Sequence, residues 1–149
     1  MYKVQVSTNA RFGTAWLLFA LALALHAIDE ANHHFLAYYN PNARMIRERL
    51  HIPVPVFTPE MFALTLGAAV MLLLLLTPSA FRGARWMRWL AVPLAIVAGI
   101  GNALLHIISS AYFHRFMPGV YSSPVLLVAA IFLLVAAKPR SDRAKTAAA

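Results

Sequence analysis

The sequence predicts an all-α integral membrane protein, a bundle of four transmembrane helices, on three observations. Of 149 residues, 61% are hydrophobic and only 12% charged, where soluble domains run at about 45–50% apolar and about 25% charged. The apolar residues fall into four runs separated by prolines, polar residues or basic turns. Backbone polar groups in lipid can be satisfied only within helices or closed barrels. The net charge of +8 comes from Lys and Arg between the apolar runs, with no interleaved base-stacking aromatics, so no nucleic-acid partner is expected. There are no cysteines, which excludes disulfides, thiolate metal sites and a cysteine nucleophile. Any metal site must use nitrogen and oxygen ligands.

Residues 1–12 read as a short polar, cytoplasmic N-terminal segment. The apolar core Ala15–Leu25 resembles a signal-peptide h-region, but the helical pattern continues to Tyr38, so an uncleaved first helix over about 13–38 is expected. Asn40-Pro41-Asn42 predicts its end. Residues 43–51 fit either a short interfacial helix, with Met45, Ile46 and Leu50 toward lipid, or a solvated loop. Pro53 and Pro55 impose an extended passage. Thr58-Pro59-Glu60 combines a capping hydroxyl, a proline at the first helical position and an acid in the first turn, starting a helix that runs to about 77 and stops at Thr77-Pro78. A third helix is expected over about 86–113, kinked at Pro93 and lined with the small residues Ala95, Ala98, Gly99 and Gly101. Ser123-Pro124 caps a fourth over 123–137, and residues 138–149 read as a disordered basic cytoplasmic tail.

Four spans put both termini and the 78–88 turn on one side, with nine Lys and Arg residues against four (Arg44, Arg47, Arg49, Arg115) on the other. The positive-inside rule then places the termini in the cytoplasm of a multi-pass inner (plasma) membrane protein. Trp16, Trp86 and Trp89 fall at the cytoplasmic ends and Tyr38, Tyr39, Tyr112 and Tyr121 at the opposite ends. His26, 15 residues beyond Arg11, and His106, 18 beyond Arg88, reach similar depths on the first and third spans.

Ionisable side chains at that depth cost several kcal/mol and mark sites. His26, Glu30 and His33 share one helical face, with Asp29 at its edge and His34 one position round; Asn102, His106, Ser110 and His114 form a stripe on the third helix. Imidazole with carboxylate suits a divalent first-row metal, zinc, iron or manganese, with copper also possible in principle. The expected ligands are His26, Glu30, His33 and His106. Asp29 would orient a ligand or act as general base, and Asn102 would contact substrate or a ligand. Glu30-x-x-His33 matches half of a di-iron carboxylate motif, and the second half is missing. His34, His51 and His114 have plainer readings as interface or loop residues.

His26-Ala27-Ile28-Asp29-Glu30, the later His106 and the downstream Phe116-Met117-Pro118-Gly119 together resemble the HXXEE-domain family of small prokaryotic integral membrane proteins, from Trp16 to Leu134. That family has two glutamates and Tyr-x-Pro-Gly where this chain has Asp29 and Phe116. The resemblance implies that His26, Asp29, Glu30 and His106 belong to one site, and it carries no function. The expectation is therefore a membrane-embedded, metal-dependent enzyme, hydrolase or oxidoreductase, acting on a membrane lipid or other apolar small molecule. The alternatives are a metal-free acid/base isomerase, a haem-binding electron carrier and a proton-coupled transport protein.

Overall fold

The computed structural model describes residues 2–138, with side chains from Thr8 onward; of the expected terminal tail, residues 139–149 lie outside the described residues. Helix α1 spans Tyr2–Asn32, α2 Phe35–Leu50 and α3 Pro59–Phe81. Then α4 (Arg85–Pro93), a π-helical stretch (Leu94–Gly101) and α5 (Asn102–Tyr112) run on as one rod, and α6 (Ser123–Ala137) follows. Among the described residues there is no strand.

Three helices, Thr8–Asn32, Pro59–Phe81 and Arg85–Tyr112, are long and apolar enough to cross a membrane. The fourth expected span, α6, is apolar but 15 residues long, about 22 Å at 1.5 Å per residue, against a hydrocarbon core of about 30 Å.

Helix α1 is the hub. Its buried Phe12, Trp16 and Phe19 pack among Leu73 of α3, Met87 and Ala91 of α4, and Leu126, Ala130 and Leu133 of α6. The other faces stay apolar and uncovered, as with Leu64 and Leu75 of α3, each more than 70% exposed. Such inside-out exposure suits a helix surrounded by lipid. Trp86 and Trp89 are exposed as a belt requires, but Trp16 is fully buried and belongs to the core. Its indole N–H donates to the Leu73 carbonyl at 2.8 Å, because a buried indole must find an acceptor. Trp16→Phe should lower stability by about 2 kcal/mol, through the lost bond and the cavity left behind, measured as a shift in thermal unfolding.

Two prolines expected to stop helices do not. Helix α3 continues through Pro78 to Phe81; a proline opens the turn before it, and the Thr77 hydroxyl joins Trp16 in donating to the Leu73 carbonyl in that turn. Helix α2 carries Pro41 in its interior, where the Asn42 side-chain amide donates to the Tyr38 carbonyl at 2.7 Å. Asn40 clamps α2 to the following segment by bonds to the Phe57 carbonyl and N–H. The first helix instead ends at Asn32, six residues before the expected end at 38, with His34 in the left-handed conformation (φ 57°). There the His33 ring donates to the Asp29 carbonyl at 2.9 Å, and α2 leaves in a new direction. At Pro93 the rod is not interrupted, and the eight residues after it widen into π-helical turns, one of the ways a helix absorbs a local mismatch.

Candidate metal centre

Helix α1 brings Glu30 one turn beyond His26 on a face turned toward α5, and α5 supplies His106. All three are at least 95% buried. Glu30 Oε1 lies 3.0 Å from His106 Nε2 and 3.5 Å from His26 Nε2, and ligand atoms of the three residues all lie within 4.8 Å of one another. The two imidazoles meet edge to face, with ring centroids 4.9 Å apart. Neither nitrogen is aligned for a hydrogen bond: Nε2 of His26 and Nε2 of His106 are both buried without a hydrogen-bond partner. Orphaned buried nitrogens of this kind are costly, and here they converge on a carboxylate oxygen.

The other nitrogen of His26 fixes its tautomer. Ser122 donates its backbone N–H and its hydroxyl to Asp29 Oδ2, at 2.9 and 2.7 Å. The hydroxyl has a single proton, so toward His26 Nδ1, 2.9 Å away, Ser122 Oγ is the acceptor. His26 therefore carries a proton on Nδ1, and in the neutral ring the lone pair sits on Nε2, facing Glu30. A carboxylate that orients a ligating histidine through its far nitrogen recurs around metals; here Ser122 stands between the two. Ser122→Ala removes that acceptor, and metal affinity should fall about 10- to 100-fold with helix content unchanged, read by competition with a chromogenic chelator and by circular dichroism.

Gly119, at φ 84°, closes the site from the side of the Pro118-Gly119 turn. A Cβ there would stand 2.9 Å from His106 Cε1 and Nδ1 and 3.1 Å from His26 Cε1. Its carbonyl accepts the Ser123 hydroxyl at 2.7 Å, which fixes the turn on the start of α6. Phe35 covers the remaining side, its ring centroid 5.6 Å from that of His106.

Of the expected site residues, the structure gathers His26, Glu30 and His106. It does not bring His33 to them. The His33 ring, half exposed, sits 2.8 Å from Asp29 Oδ1 and against Tyr121, in the turn beyond the end of α1 at Asn32. Asp29 faces Ser122 and the start of α6, where a helix N-terminus favours a carboxylate. Asn102 lies one turn before His106, partly buried, outside the group. His34, His51 and His114 all hold left-handed turns, a conformation in which histidine is enriched among non-glycine residues. Phe116 is exposed and stacks on Tyr121, so a hydroxyl on its ring would not reach the cluster. Ser122 and Phe35 were not legible as site residues: Ser122 precedes the expected cap and Phe35 sits in an apolar run. The one signal was the pair Ser122-Ser123 before Pro124, one hydroxyl more than a cap needs.

Fold and site thus define a helical protein with membrane-length apolar helices built around a buried His–Glu–His cluster. The chain belongs to the family described as protein of unknown function with HXXEE motif, which it matches over residues 16–134. No curated protein and no solved structure matches it.

Proposed function

We propose that this protein is a membrane-embedded, metal-dependent enzyme in which His26, Glu30 and His106 hold one divalent first-row ion, and that it acts on a lipidic or other apolar substrate. The observation that carries the reading is the convergence of two unbonded imidazole Nε2 atoms on one carboxylate oxygen in a buried site. Ligands at about 2.0–2.1 Å from a tetrahedral zinc stand about 3.3 Å apart; the two histidine-to-carboxylate separations of 3.0 and 3.5 Å bracket that value, and the third separation lies within 4.8 Å. Two histidines and one carboxylate form the ligand set of catalytic zinc sites and of non-haem iron oxygenases, in which a position stays open. When bound, such an ion supplies Lewis-acid polarisation or, with iron, redox chemistry.

The chain's own residues do the rest. Ser122, held by Asp29, keeps the His26 lone pair turned inward. Phe35 and Gly119 shield the cluster from water. In the membrane, α6 completes a four-helix bundle, and the Lys/Arg distribution supports cytoplasmic termini and a site in the opposite half of the bilayer.

The 3.0 Å approach of His106 to Glu30 also favours a second reading, a metal-free acid/base pair sharing a proton. Haem is not accommodated, since the two imidazoles pack directly on each other and leave no slot for a macrocycle. Elemental analysis of full-length protein purified without chelator tests the proposal. About one equivalent of transition metal is expected; less than about a tenth of an equivalent in repeated preparations overturns it in favour of the acid/base pair.

A further inference from the structure

Two cavities lie end to end between α1 and α3. One, of about 350 Å³, is lined by Ala24, Ala27, Ala31, Phe62, Gly67 and Met71. The other, of about 290 Å³, shares Ala31, Phe62 and Ala63 with it and ends at Glu30, His34 and Phe35. The first is walled by small and apolar side chains, and Glu30 of the cluster lines the second. Of the three cluster residues, Glu30, 5% exposed, lines this groove.

We infer that the α1/α3 groove binds a single-chain amphiphile, its tail lying along Ala27 and Gly67 and its oxygen-bearing head at Glu30. From Phe62 to Met71 the groove follows α3 for about 13 Å, close to the about 15 Å depth of one hydrocarbon leaflet. It begins beside Pro59, at the capped end of α3, and runs toward the middle of that helix. A chain entering from lipid would run parallel to its neighbours and bring its head to the cluster without crossing water. Gly67 lines the groove: a Cβ there meets nothing within 4 Å, and a large side chain would project into that space. The inference rests on the metal centre proposed above for what meets the head, and on the groove alone for what holds the tail.

The test uses the full chain in lipid nanodiscs with palmitic acid carrying a mid-chain diazirine. Photolabel should concentrate on peptides containing 24–31 and 62–71, be displaced by excess palmitate, and fall at least about tenfold, some 1.4 kcal/mol of binding, in Gly67→Phe. The same substitution at Val97, which is 70% exposed on the π-helical stretch, should leave labelling unchanged. Label spread evenly over the lipid-facing helices, label indifferent to Gly67→Phe, or a chain-to-chain crosslink through the groove would overturn the inference. Metal content read on the same samples separates the two proposals: specific labelling without metal removes the metal centre and keeps the groove, and metal without specific labelling does the reverse.

Discussion

Glu30→Gln is expected to lower bound metal at the proposed centre from about one equivalent to less than about a tenth, and to leave the helices folded. The substitution keeps the shape of a side chain that is 95% buried and so preserves packing. It removes the only carboxylate, among the described residues, within reach of both Nε2 atoms, and with it the charge that would hold a divalent cation between the two imidazoles. A neutral amide in a dry site cannot replace that charge. Metal analysis beside circular dichroism and thermal unfolding reads both halves of the prediction. Collapse of the fold in Glu30→Gln would instead mean that the carboxylate serves only to join α1 to α5. Asp29→Asn is the informative contrast, because its carboxylate bonds Ser122 and not the cluster. It should loosen the start of α6 and weaken metal binding without abolishing it.

The helical class, the membrane-length runs and the pairing of His26 with His106 were readable because each follows from local chemistry. Apolar runs of sufficient length state a helix in lipid, and His26 and His106 stand at similar distances from the basic ends of their runs. Helix boundaries were less readable. Pro41 and Pro78 looked like stops, yet both are carried inside helices, with side-chain donors bonded to nearby carbonyls. The real break, at His33-His34, has no proline or glycine to announce it and depends on where α2 is tied by Asn40 to Phe57. The same limit applies to the site. Spacing placed His26, Glu30 and His33 on one face, but one face of a helix is broad enough to serve two neighbours. Which acid turned toward α5 and which toward α6 was decided by where Ser122 and His106 stand, and those are tertiary facts. The Asp at position 29, where the family pattern has glutamate, then reads as a short acid seated against the first turn of α6, 2.7 Å from the Ser122 hydroxyl.

Gly119→Ala is expected to cost about 2–4 kcal/mol and to displace both histidines. Two independent effects add. The residue sits at φ 84°, where an L side chain costs of order 1–3 kcal/mol. Its Cβ would also press on His106 at 2.9 Å and on His26 at 3.1 Å, closer than carbon atoms pack, and neither ring can retreat: His26 is pinned through Nδ1 to Ser122 and His106 is backed by Phe35. Relief must come from the Pro118-Gly119 turn itself. That turn moves only by giving up the bond the Ser123 hydroxyl makes to the Gly119 carbonyl, and hence the seat of α6. The variant should therefore lose stability and metal together, whereas Ser122→Ala loses metal affinity with its helices intact. Thermal unfolding and metal content measured on both variants distinguish the two. A Gly119→Ala protein that unfolds like the parent and still holds a full equivalent would mean that the turn does not press on the histidines at all, and that their positions are set by α1 and α5 alone.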